Sequence, residues 1–344
     1  MSWHSIRGVD SLVLELRKSL QEARFPHAFL FTGPEGVGKW TFANKLAQGL
    51  LCERVPEAQF DPCEVCPACL QVKNGAHPDL LTVGRPEDKQ ELPIAVIRQL
   101  CIDLGLKPMR GARRVAIVDD ADDLNDEAAN AFLKTLEEPP DGSVLILVGT
   151  SAEEQLDTVV SRCRVVRFRP LSEHDLAAIL LEQGVASSQD EAEHLARLGE
   201  GSVSRAKGLA NPDLARFRRV LIDEIADLRG FNPSAIAAKL GSFIEEAGKE
   251  NVVRRERARL LTSELAEFFR GVLWSTAGLQ PPSQDPDDHK AALDLARMLQ
   301  PEDVFLLADR CLEADYQIQR NAYMPLILES LLHDLEALVN RKSP

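Results

Sequence analysis

The pattern of hydrophobic positions along this chain changes character once, near Pro170. Before that point, short and nearly unbroken apolar runs recur at Ala28 to Thr32, Asp79 to Val83, Arg114 to Val118, Ser143 to Gly149 and Arg164 to Phe168. Runs of this length, bounded by Gly, Pro and charged residues, predict strands buried on both faces. Between them, Pro93 to Leu104 and Asp126 to Glu138 carry apolar residues at helical spacing, and Pro139-Pro140 stops the second helix. The alternation implies an α/β domain over residues 1–170, a parallel sheet with helices on both faces. Past Pro170 the strand signal ends. Ser172-Glu173-His174-Asp175 can cap a helix through the serine oxygen, and two or three short helices follow to about Leu209, one of them ended by Gly199 or Gly201. These predict a small helical lid domain over residues 171–210.

Residues 211–344 predict an all-α C-terminal domain, with charged amphipathic segments at Leu214 to Leu228, Val252 to Trp274, Pro301 to Ile318 and Leu326 to Val339. An exposed loop rich in Pro, Ser and Asp is expected at Gln280 to Asp288. On the last helix Ile327, Leu331, Leu335 and Leu338 share a face, with Leu328, Leu332 and Val339 beside it. That stripe either fills the domain's own core or is wide enough to pack on a partner as well.

Composition narrows the setting. The chain has 344 residues, 44% of them hydrophobic and 27% charged, enough for two or three domains each burying a core. The longest apolar run, near Val144 to Val148, is far short of the ~20 residues that span a membrane. Met1-Ser2-Trp3-His4-Ser5 lacks a signal-peptide pattern, so the expected location is the cytoplasm, with no membrane partner. The 40 Lys and Arg against 54 Asp and Glu give a net charge of −14, which opposes non-specific attachment to a phosphate backbone. Any nucleic-acid role is then expected to be held through partner proteins.

The first chemical motif is Gly33-Pro34-Glu35-Gly36-Val37-Gly38-Lys39-Trp40, lying between the first strand and a helical segment from Trp40 to Ala47. Strand, Gly-rich turn and helix N-terminus together make a phosphate cradle in which Gly33, Gly36, Gly38 and Lys39 surround the phosphates. The pattern GxxxxGK[ST] requires a hydroxyl next, as the Mg²⁺ ligand, and an indole N–H can only donate. Trp40 therefore leaves the nucleotide fold expected and ATP/Mg²⁺ chemistry in doubt, unless Thr41 serves by a one-residue slip. A chance Gly-rich turn is the alternative without nucleotide.

The second motif is a cysteine cluster. Cys52, Cys63, Cys66 and Cys69 form C-x10-C-x2-C-x2-C just after the helix opened by the phosphate loop. Two-residue gaps let successive thiolates converge on one ion, and the ten-residue excursion brings back the fourth sulfur to close a tetrahedron. The expected occupant is a structural Zn²⁺, tying the loop down by roughly 10 kcal/mol or more. Disulfides, idle thiols or an iron–sulfur cluster remain the alternatives. Cys101, Cys163 and Cys311 are isolated and fit small buried hydrophobes.

After the strand Val115 to Val118 come Asp119 and Asp120, where a Walker B motif places a magnesium-shell aspartate and a carboxylate that orients the attacking water. The second acid is Asp, one methylene shorter than the usual Glu, which retracts the base from the γ-phosphate. A solvated turn of Asp119, Asp120, Asp122 and Asp123 is the plain alternative.

The run Asn130 to Pro140, NAFLKTLEEPP, followed after a strand and a polar loop by Ser161-Arg162-Cys163, resembles the clamp-loader ATPase family within the AAA+ class. The resemblance extends over the whole chain, strongest from Ile6 to Arg169, and includes the zinc-type cysteines between phosphate loop and Walker B. It implies an AAA+ P-loop domain, a lid and an oligomerising helical collar, in a subunit of the bacterial DNA polymerase III clamp loader. The hydrolysing gamma/tau members keep a full GKT or GKS loop and an Asp-Glu pair. Gly38-Lys39-Trp40 and Asp119-Asp120 depart from both, so the resemblance implies a member with no intrinsic activity that works within the polymerase holoenzyme. Its implied partners are gamma/tau and delta subunits in a heteropentamer and, through that complex, the sliding clamp and primer-template DNA. Arg162 is implied to be an arginine finger acting in trans on a neighbour's ATP. Thr150 matches the polar sensor 1 position. Gly201 to Ala206 resembles the sensor 2 segment, with Ser204 rather than Arg205 at the sensor arginine. A gamma/tau-like motor using Thr41, and a free-standing AAA+ regulator, are the competing functional readings.

Overall fold

The computed structural model describes residues 3, 6–86, 89, 91–226, 231–279 and 288–340, the last three by backbone only. The exposed loop expected at Gln280 to Asp288 lies outside these apart from Asp288, as do Leu228 and the side chains of Leu338 and Val339. The described chain divides into two compact units, Met1–Leu176 with Gly201–Ser204, and Ala177–Glu200 with Arg205–Pro344.

The first unit is built on five parallel strands, β1 (Ala28–Thr32), β2 (Leu80–Val83), β3 (Arg114–Val118), β4 (Ser143–Val148) and β5 (Arg164–Arg167), in the order β2-β3-β4-β1-β5. β1, β3 and β4 are buried along their whole length, as unbroken apolar runs require when both faces are covered. Alternate side chains feed opposite cores. Phe29, Phe31, Val115, Ile117, Val144 and Ile146 pack with α1 (Asp10–Gln21) and α2 (Lys39–Leu51) on one face. Ala28, Leu30, Ala116, Val118, Leu145 and Leu147 pack with α4 (Ile94–Leu104) and α5 (Asp126–Glu137) on the other. A short helix α3 (Pro67–Lys73) carries the end of the cysteine cluster, and α6 (Asp157–Val160) precedes β5. The fold expected for residues 1–170 is the one observed.

Helix α7 (Glu173–Glu182) starts where the sequence places it: Asp175 N donates to Ser172 Oγ at 3.1 Å. α8 (Gln189–Gly199) ends with Glu200 in the left-handed conformation, φ 47°, and α9 (Val203–Leu209) follows. Residues 177–200 and 205–210 of the expected lid thus fall in the second unit and 201–204 in the first. The rest of the second unit is α10 (Pro212–Ala226), α11 (Pro233–Glu245), α12 (Asn251–Thr276), α13 (His289–Met298), α14 (Pro301–Gln319) and α15 (Met324–Asn340). On α15, Ile327, Leu328, Leu331, Leu332 and Leu335 are all buried in this unit's own core, the simpler of the two roles open to that stripe. No helix of the described residues is long and apolar enough to cross a membrane.

Candidate functional site: a degenerate phosphate loop, a four-cysteine centre and an arginine at the opposite end of the strands

The phosphate loop leaves β1 at its C-terminal end and turns directly into α2, with Gly38 as N-cap at φ 95°. Gly33 has φ 141°, and a Cβ there would fall 2.3 Å from Phe168 O, so only glycine permits this approach. Gly36 has φ 75°; a Cβ on it would lie 2.2 Å from Ser202 Oγ and 3.0 Å from Ser204 Cβ, and Gly36 O accepts from Val203 N at 2.9 Å. Ser204, expected at the sensor 2 position, therefore sits over the loop. The guanidinium of Arg205, in the second unit, donates to Glu264 at 2.8 Å and Glu200 at 2.9 Å.

Inside the loop Lys39 is buried and its ammonium donates to Gly33 O and, at 2.7 Å, to Pro34 O. Burial lowers its pKa, opposed by the negative charges of Glu35, Asp122 and Asp119. Trp40 neither fills the cradle nor enters the core: it is 39% exposed on the first turn of α2. Thr41 is exposed too, and successive helical side chains diverge by about 100°, so it does not project where residue 40 does. Neither residue supplies the hydroxyl that the metal shell of a bound nucleotide demands, and the donor set does not fit a complete Mg²⁺–ATP site.

The acid pair stands at the C-terminal end of β3. Burial, and then the adjacent Asp120, push the Asp119 carboxyl up to about 6, against the pull of Lys39. Asp120 is left-handed, φ 51°. Asp122 is no solvated turn residue: Oδ2 accepts from Thr150 N at 2.6 Å and Oδ1 from Gln155 Nε2 at 3.0 Å. Thr150 O in turn accepts from Gly33 N at 2.9 Å, which ties Thr150 to the phosphate loop by its backbone. The role of Asp122 was not legible beforehand. Its only signal is its distance past the strand.

α2 ends at Cys52, its C-cap, which brings the metal cluster to the far end of the helix that the phosphate loop opens. The Sγ atoms of Cys52, Cys63, Cys66 and Cys69 all lie within 4.8 Å of one another, with Cys52 and Cys66 at 4.0 Å. A tetrahedron with metal–sulfur bonds of about 2.3 Å has edges of about 3.8 Å, so the four sulfurs fit a closed ion site such as Zn²⁺. Cys66 N donates to Cys63 Sγ and Cys69 N to Cys66 Sγ, both at 3.4 Å, which orients these sulfurs within the cluster. None of the four is in a disulfide. The supporting residues were not foreseen: Gln48 Nε2 donates to Cys69 O at 2.8 Å and the buried Lys45 pairs with Glu64, both reaching from α2.

Arg162 lies at the other end of the strands. Arg164 is in register with Phe29 and Arg167 with Thr32, so β5 runs parallel to β1 and Arg162 precedes its N-terminal end, whereas the phosphate loop follows the C-terminal end of β1. From Arg164 to Phe168, level with Gly33, the strand climbs roughly 13 Å at ~3.3 Å per residue. Arg162 and this chain's own cradle thus lie at opposite ends of two neighbouring strands. Its Nη2 donates to Glu137 Oε1 at 2.6 Å and Nη1 to Thr158 O at 2.8 Å.

Sheet order, phosphate loop and carboxylate pair define a P-loop fold of the AAA+ class. Residues 9–172 match the family model described as "DNA polymerase III, delta subunit". DNA polymerase III subunit delta′ of Bacillus subtilis (strain 168) is 32% identical over 219 residues, 60% of this chain and 65% of that one. Subunit delta′ of Escherichia coli (strain K12) is 34% identical over 212 residues, 62% and 63% of the two chains. Subunit tau of the same organism is 30% identical over 276 residues, 78% of this chain and 40% of that one. The likeness to that family model lies in residues 9–172, and the relatives at 30–34% identity are subunits named delta′ and tau of DNA polymerase III. The matched region spans between 40% and 65% of the length of these three relatives.

Proposed function

We propose that this chain is the non-hydrolysing delta-prime subunit of a DNA polymerase III clamp loader, acting in the cytoplasm during DNA replication. Its own cradle does not turn over ATP, because Trp40 brings no metal ligand and Asp120 is too short to reach an attacking water. The cysteine centre holds a structural Zn²⁺ that stiffens the first unit, and residues 211–344 are the collar through which it joins gamma/tau and delta subunits in a heteropentamer. The sliding clamp and primed DNA are met through that complex.

The observation that carries this reading is the position of Arg162. A cation at the end of the strands opposite its own phosphate loop has no cis role there, but it can enter the ATP site of a neighbouring gamma/tau subunit and meet charge developing on the γ-phosphoryl oxygens. A finger of this kind can be worth roughly 10³ to 10⁵ in rate. Arg162→Ala is expected to leave folding and assembly intact while cutting the partner's DNA-stimulated ATPase at least tenfold. Unchanged ATPase in a correctly assembled mutant complex would contradict the trans role.

A further inference from the structure

Arg162 is held on its own subunit. Nη2 donates to Glu137, and Nη1 donates to Thr158 O and, at 3.3 Å, to Ser161 Oγ. Thr158 and Ser161 lie within four residues of Arg162 and travel with it. Glu137 is different: it stands at the C-terminal end of α5, 25 residues away, and it alone of the three acceptors carries a formal charge. A guanidinium grips a phosphoryl group with the same terminal N–H groups that this carboxylate and carbonyl now occupy.

We propose that Glu137 is a positioning residue that restrains Arg162, so that a neighbour's γ-phosphate must displace the carboxylate before the finger engages. The inference rests on the reading of Arg162 as a trans finger. Its strength suits an exchange. The side chains of Arg162 and Glu137 are 34% and 52% exposed, so solvent screens the pair, and removing the charge should shift the balance by only about two- to fivefold. A γ-phosphate, with more charge and more acceptor oxygens than one carboxylate, out-competes it. Glu137 belongs to the same Leu136-Glu137-Glu138-Pro139-Pro140 run whose prolines end α5 just before β4, which fixes the carboxylate at the N-terminal end of the strands, where Arg162 emerges.

The test uses the full assembly of this chain with gamma/tau and delta subunits, clamp and primed DNA, comparing Glu137→Gln, Arg162→Ala and the double variant. Glu137→Gln keeps shape and removes charge, so the melting temperature of this chain should not move. The partner's kcat should rise about two- to fivefold with its KM for ATP unchanged, and that gain should vanish in the Arg162→Ala background. A gain that survives without Arg162, an unchanged or lowered kcat, or a loss of melting temperature would each overturn the restraint. If Arg162→Ala cuts the ATPase while Glu137→Gln leaves it alone, only this inference fails; if Arg162→Ala has no effect, the finger reading itself is lost.

Discussion

Asp119 carries the clearest electrostatic cost in the first unit. It stands at the end of a fully buried strand, beside a second carboxylate, and the cation that opposes its shift, Lys39, is itself partly desolvated and bonded to the loop carbonyls Gly33 O and Pro34 O. The folded pKa of about 6 is above the ordinary 3.8, so the native state binds the proton more tightly than the unfolded chain. The penalty is therefore absent below about pH 4, grows between the two values and is complete above about pH 6. A gap of 6 − 3.8 = 2.2 sets an upper limit of about 3 kcal/mol. Asp119→Asn is expected to stabilise the unit by about 1–3 kcal/mol at pH 7.5 and by almost nothing at pH 4, as read by denaturant unfolding. An equal effect at both pH values would contradict this. The identities of Lys39, Asp119 and the four cysteines were legible because their chemistry depends on local spacing. The work of Asp122 and Glu137 was not, since each acts on a residue 25 or more positions away.

Helix α2 connects two of these features: it begins on the phosphate loop and ends on Cys52, with Lys45 and Gln48 reaching from it into the cysteine module. A closed four-thiolate site there should hold one Zn²⁺ per chain and fix α3 against α2. Cys66→Ser is expected to lose the ion and to lower the melting temperature of the first unit by several degrees, at roughly 2–4 °C per kcal/mol for a domain of this size. Metal analysis showing no zinc in the unaltered chain, or full metal retention and melting temperature in the variant, would contradict a structural centre. β1, β3 and β4 were legible because a strand covered on both faces needs an unbroken apolar run, and the edge strands β2 and β5, only partly covered, were legible from shorter apolar runs. Several helices were passed over. α1 carries the helical series Val9, Val13, Leu16 and Leu20, and α11 announces itself through Asn232, whose side chain accepts from Ala235 N, followed by Pro233. α13 gives much less: in ten residues only Ala292 and Leu295 are buried.

At the scale of the whole chain, the change of pattern at Pro170 located the end of the sheet, yet not the division into two units. That division follows packing over long separations. Arg205 and Arg218 converge on Glu264 of α12 at 2.8 and 2.9 Å, and Arg218 also meets Asp288 at 2.6 Å; all four are nearly buried. Such a lattice ties α9 and α10 to α12, and no local spacing announces it. The net charge of −14 agrees with a subunit that meets DNA through its assembly rather than alone. The central claim concerns that assembly, and steady-state ATP hydrolysis with primed DNA and clamp tests it most directly, comparing this chain alone, gamma/tau with delta, and all three together. The account predicts silence from this chain alone and stimulated hydrolysis in the full mixture. Hydrolysis by this chain alone, lost on Lys39→Ala, would contradict it and make this subunit a motor in which Thr41 replaces the missing hydroxyl.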